Sequence, residues 1–228
     1  MTNKELIERL QRASKALTRA TTWEGSITRM RGAELQYLFE FACYLHLLRQ
    51  FKQNYSLGLV KRTKAGSKIA CWPKAPSDKA QWSYFTLKPR SGTGKSWQLC
   101  AGTGIEDIHG QERHPDISLQ TAEASDTPCH HEVTAIWDAK FRKKPTSRMS
   151  SGDVASFIMF MRQLEIAKKP VPAPLAFAKK GSAASGLKMA SASGLITNGE
   201  YSTEPTPMLV AEAVQETASY WTSTKHRP

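Results

Sequence analysis

His114-Pro115-Asp116-Ile117-Ser118-Leu119 and, further on, Ala135-Ile136-Trp137-Asp138-Ala139-Lys140-Phe141-Arg142 decide how this chain is read. In each run apolar and β-branched residues alternate with others and polar clusters bound the run, which predicts two short β-strands. Residues two apart on a strand share a face. Asp138 and Lys140 therefore point one way, and Trp137, Ala139 and Phe141 the other. Pro115 opens the first strand, where its missing N–H costs no ladder bond, and Asp116 follows it. If the two strands pair, Asp116, Asp138 and Lys140 converge at one end of a sheet. Two hard carboxylate oxygens then stand ready for a divalent cation, with an ammonium beside them. Singly, each residue has a plainer reading: Asp116 as a turn residue, Asp138 and Lys140 as a solvated pair on an edge strand. The apolar strands around both acids favour the site.

Pro115-Asp116 followed by Asp138-Ala139-Lys140 resembles the PD-(D/E)XK signature of restriction-endonuclease-like nucleases. The resemblance implies magnesium, with manganese as a substitute, held by Asp116, Asp138 and the Ala139 backbone. It implies that Lys140 orients the attacking water and offsets charge on the phosphate. It also implies a glutamate from the first core helix, and Glu40 is the candidate. The fold implied is α/β (α+β), with an αβββαβ core around residues 32–178, a central mixed sheet flanked by helices, and an extra N-terminal helix and β-hairpin. One nuclease domain then fills the chain, with helix 4–20 and segment 179–228 as appendages.

The pattern on either side of the motif fits such a core. Leu6, Leu10, Ala13 and Leu17 recur at helical spacing over residues 4–20, and Gly25 lies in the break that follows. From about Gly32 to Phe51 apolar residues cover nearly a whole helical circumference, predicting a helix buried on several sides. Glu40 stands alone among aromatics there, a costly place for a carboxylate without a cationic partner. Its alternative is a partly exposed position on a polar stripe with Gln36 and Arg49; Glu34 suits the helix dipole better. Strands are expected at Tyr55–Val60, Lys68–Trp72, Trp82–Leu87 and Trp97–Cys100, and Ala101–Arg113 reads as a loop. Val154, Phe157, Ile158, Met161 and Leu164 predict a helix from Asp153 to about Lys169, its apolar face in the core. Leu175–Ala178 is expected to return as a parallel strand, 181–194 as a flexible loop, and 208–221 as a closing amphipathic helix.

The chain has 228 residues, enough for one domain with a sizeable core. Its 32 Lys and Arg against 20 Asp and Glu give a net charge of +12, which points to a polyanionic partner. No run is long and apolar enough to span a bilayer, and the N-terminus lacks an apolar signal core, so a cytoplasmic location is expected. Arg142, Lys143, Lys144 and Arg148 follow the motif lysine directly, where a phosphodiester backbone needs positive charge.

Two further signals mislead. Gly94-Lys95-Ser96 copies the end of a phosphate-binding loop, but the first glycine of that motif falls at Pro89 and a strand, not a helix, follows. A hairpin loop is expected there. Cys129-His130-His131 resembles half of a zinc site, but adjacent residues on a strand face opposite sides and no second half-site has the usual spacing. The cysteines are read as buried free thiols. The reading is thus a magnesium-dependent endonuclease acting on DNA, as a homodimer or with a targeting partner, in restriction, phage defence, transposition or repair. Its alternative is a non-catalytic DNA-binding module on the same fold.

Overall fold

In this computed structural model, residues 35–62, 72, 78–139 and 151–165 are described, together with Glu8, Gln11 and Arg12. Helix α1 (Leu35–Phe51) is the organising element. Leu38, Phe41, Cys43, Tyr44, Leu45, Leu47, Leu48 and Phe51 are all buried, so the helix is covered on most sides, as its all-round hydrophobicity requires. The buried Tyr44 hydroxyl donates to the Leu99 carbonyl at 2.7 Å, which fixes the helix against the sheet. Trp72 packs on Phe41 and Tyr44, with ring centroids 5.5 Å from each. Arg49 in the last turn complements the helix dipole.

The strands are β1 (Tyr55–Val60), β2 (Tyr84–Pro89), β3 (Trp97–Ala101), β4 (Ile105–Glu106), β5 (Glu112–Arg113), β6 (Ile117–Thr121) and β7 (Val133–Trp137). Five form one sheet in the order β1-β2-β3-β6-β7, and β4 pairs with β5 in a separate hairpin. Every described strand pair is antiparallel, and with the helices this makes an α+β fold. The β3-β6-β7 side of the sheet is covered on both faces: all five residues of β7, the last strand in the order, are buried, as are the first four of β3 and of β6. Edge strand β1 is partly exposed. There a Cβ on Gly58 would stand 2.5 Å from Thr86 Oγ1, so any larger residue would force the Thr86 side chain to shift. Helix α2 (Ser151–Gln163) buries Phe157, Ile158 and Met161, with Leu164 just beyond its end, as the spacing predicts.

Residues 90–96 join β2 to β3 as a hairpin loop, with Gly92 and Gly94 at positive φ and no helix after Lys95-Ser96. The phosphate-loop reading is thereby excluded on geometry. Other expectations need correction. Trp72 lies outside any strand, and β2 starts at Tyr84 because Lys79–Gln81 form a 3-10 turn capped by Trp82. Ala101–Arg113 is not a plain loop but carries the β4–β5 hairpin. Residues 130–132 form a 3-10 turn rather than strand, so the opposite-faces argument against His130 and His131 does not apply. Helix 4–20 beyond its three described residues, Lys140, Arg142, Lys143, Lys144, Arg148 and everything after Glu165 lie outside the described residues.

Candidate functional site

Strands β6 and β7 pair as expected, with Ile117 opposite Trp137 and Ser118 opposite Ile136. The ladder stops there: β6 begins at Ile117, not at Pro115, and β7 ends at Trp137, so Asp116 and Asp138 lie one residue outside the strands, at the same end of the pair. Both acids are half-buried at the sheet end. Asp116 Oδ2 accepts a hydrogen bond from the Ala139 amide at 2.6 Å, and its carbonyl accepts one from Gly102 at 2.9 Å. A charge-assisted bond of that length holds the carboxylate in one orientation.

Glu40 is half-buried on α1. Burial pushes the Cys43 thiol well up, and the carboxylates of Asp116 and Glu40 push it further. The Cys43 thiol on α1 thus feels the charges of Asp116 and Glu40. The polar-stripe alternative holds in part: Glu40 is partly exposed and Gln36 lies one turn before it, but Arg49, nine residues on, falls about half a turn around the axis. Arg49 is exposed on the far side.

Glu40, Asp116 and Asp138 do not form a tight cage. Among the described residues, His130, His131 and Glu165 are the one such set of three whose ligand atoms all lie within 4.8 Å of one another. Two carboxylates 4 Å apart in partly buried surroundings repel by about 4 kcal/mol, which favours an open arrangement until a cation neutralises them.

Sequence reasoning missed Lys79, which is 1% exposed. Its Nζ donates to the carbonyls of Ala124 and Ser125, each at 2.8 Å, and lies 5.0 Å from the centre of the Tyr84 ring. Burial holds its pKa below the usual lysine value. The charges acting on it are Cys100, Asp126, Glu132 and Arg62, not the acid pair, so it serves the turn after β6. The hydrogen-bonding pattern of a lone lysine in a polar segment carries no signal for this. Also missed was Asp107, whose covered carboxylate accepts from the amides of His109 and Gln111 and from Arg113 Nε.

Cys43 and Cys100 are buried free thiols, as expected, and Cys129 is half-buried. Burial drives the Cys100 pKa up to about 12, which leaves no thiolate for catalysis at neutral pH. No helix among the described residues is long and apolar enough to cross a membrane. Comparison with protein-family models, with curated proteins and with solved structures returns no match.

Proposed function

We propose that this protein is a divalent-metal-dependent nuclease that hydrolyses DNA phosphodiester bonds, built on the restriction-endonuclease-like plan. The observation that supports the reading is that Asp116 and Asp138 flank the same end of the β6–β7 pair, with Asp116 held by the Ala139 amide. The order is also supportive: α1 leads, the adjacent strands β3, β6 and β7 carry both acids at one end, and α2 follows. Strands β1 and β2 and the β4–β5 hairpin are then additions to the core.

The donor set fits a hard cation. Asp116 and Asp138 offer carboxylate oxygens, the ligand type magnesium or manganese requires, and Glu40 on α1 is the third candidate. Bound there, such an ion supplies Lewis-acid polarisation of the phosphate. The chain's own part is to hold Asp116 in one rotamer through Ala139 N–H and to set Asp138 at the same end of the strand pair. Lys140, next along the chain, orients the attacking water and stabilises charge as it develops. The net charge of +12 and the basic residues Arg142, Lys143, Lys144 and Arg148 favour a nucleic-acid backbone as the substrate.

A second reading is favoured by the open spacing of Glu40, Asp116 and Asp138: a DNA-binding module without catalysis. Incubation of the purified chain with supercoiled plasmid, with magnesium and with chelator, separates the two. Magnesium-dependent nicking supports the nuclease; binding without nicking in any divalent metal supports the module.

A further inference from the structure

The 3-10 turn His130–Glu132 sits between the loop after β6 and the start of β7. Its geometry is fixed by Glu132, whose carboxylate accepts from the Cys129 amide at 3.0 Å and the Ser125 amide at 2.9 Å. Burial raises the Glu132 pKa, but these amide bonds outweigh it and hold it below the usual glutamate value. Cys129 is engaged as the N-cap of the turn. That leaves two imidazoles side by side, with ring centroids 3.8 Å apart.

A third donor arrives from the other side. Glu165 lies just past the end of α2, with its amide bonded to the Arg162 carbonyl at 3.0 Å and its φ at 54°. A non-glycine residue at positive φ is strained and persists only where its surroundings hold it. The hairpin tip holds this end of the helix, since the Ile108 amide donates to the Gln163 carbonyl at 3.0 Å. Glu165 Oε2 then stands 3.7 Å from His130 Nε2.

An ordinary surface ion pair does not account for the arrangement. At 3.7 Å the contact is longer than a hydrogen bond, and His130 Nδ1 is buried with no hydrogen-bond partner. One nitrogen of this largely covered imidazole is thus left without a partner, a state that burial penalises, while Nε2 faces the Glu165 carboxylate. One donor atom from each of His130, His131 and Glu165 lies within 4.8 Å of the others. Four-coordinate zinc with bonds of about 2.0–2.1 Å sets its donors roughly 3.4 Å apart, so a closure of about an ångström completes the site.

We propose that His130, His131 and Glu165 form a zinc site that clamps the turn before β7 to the end of α2. Two imidazoles and one carboxylate are a borderline donor set, suited to zinc and unsuited to magnesium. A fourth position stays open to water. His131 and Glu165 are exposed, so the ion has access from solvent. The site lies at the opposite end of β7 from Asp138, roughly 15 Å along the strand, and it stands whether or not the acid pair is catalytic.

The test is calorimetric titration of the metal-free full chain with zinc chloride, repeated with cobalt chloride while the visible spectrum is read. The expected result is one equivalent of zinc bound, with a cobalt ligand-field band of low coordination number. His131→Ala and Glu165→Gln alter exposed side chains, so folding, checked by circular dichroism, should survive. Each should weaken zinc binding at least tenfold and remove the cobalt band, in the parent and in an Asp116→Asn background alike. Absence of binding, or binding that both variants leave intact, overturns the proposal.

Discussion

The Ala139 amide donates a 2.6 Å hydrogen bond to Asp116 Oδ2, so the residue just before β6 and the residue two past β7 are tied together. This bond gives Asp116 a structural duty beside any metal-binding one. Alanine at 116 would remove both at once, leaving a buried amide without its acceptor at a cost of about 1–3 kcal/mol. Asparagine keeps a side-chain oxygen for Ala139 and removes only the charge.

Asp116→Asn, Asp138→Asn and Lys140→Ala should each lower magnesium-dependent cleavage on the order of a hundredfold or more, with melting temperature near that of the parent. Glu40→Gln should lower activity less. Plasmid nicking and thermal melts measure the two effects separately. Full activity in Asp138→Asn would remove the acid pair from the mechanism; a Glu40→Gln variant that only melts earlier would make Glu40 a buried structural acid.

Asp107 predicts an acid limb in stability. Burial raises its pKa, but the amides of Gln111 and His109 and the Arg113 guanidinium more than reverse this, and it falls from the ordinary 3.8 to about 2. A depressed carboxylate stabilises the fold above its unfolded pKa and loses that contribution as pH drops through the folded one. The β4–β5 hairpin should therefore loosen between about pH 4 and pH 2. Asp107→Asn should be less stable than the parent at pH 7 and converge with it near pH 2. Equal stability at pH 7 would show that Arg113 and the two amides gain nothing from the charge.

The sequence made the parts with strong periodicity legible. The all-round apolar run from Leu35 to Phe51 and the spacing of Phe157, Ile158, Met161 and Leu164 dictate one buried solution each, and the structure adopts them. The Asp116 and Asp138 runs were legible as strands from their apolar and β-branched content, but both are buried on both faces, so alternation alone did not set their register. The His130–Glu132 turn was not legible, since alternation cannot distinguish a short 3-10 turn from the start of the strand that follows it. Its cause is the Glu132 carboxylate reaching back to the Cys129 amide, a contact visible only with coordinates. Lys79 was hidden for the same reason: its burial depends on the Ala124 and Ser125 carbonyls, 45 and 46 residues away along the chain.

Binding should be separable from cleavage. Lys140→Ala should still bind duplex DNA, with affinity falling steeply as salt rises because counterions leave the phosphates. Neutralising Arg142, Lys143 and Lys144 together should reduce the slope of log K against log salt by about 2–3. The other basic stretch, Lys61, Arg62 and Lys64, is already partly committed: Arg62 pairs with Asp126 at 3.1 Å. An unchanged slope in the triple variant, with loss of binding in Lys61→Ala, would shift the DNA path to that side.

Target choice should come from outside this chain. Phosphate contacts fix position on DNA but carry no sequence information, and no helix-turn-helix or zinc-finger module is legible beside the nuclease motif. A free, active site of this kind would cut wherever it bound. The protein is therefore expected either to pair with a second copy, which brings two sites to two strands, or to be delivered by a partner protein. The sequence segments 4–20 and 208–221, outside the proposed nuclease core of residues 32–178, are the docking candidates. Light scattering after size exclusion tests the first arrangement, and deletion of either segment should convert the dimer to a monomer without removing DNA binding. Copurification with the deletion variants as controls tests the second. A monomer that cuts a single defined sequence unaided would show that selectivity is built into the core, since nothing else would remain to supply it.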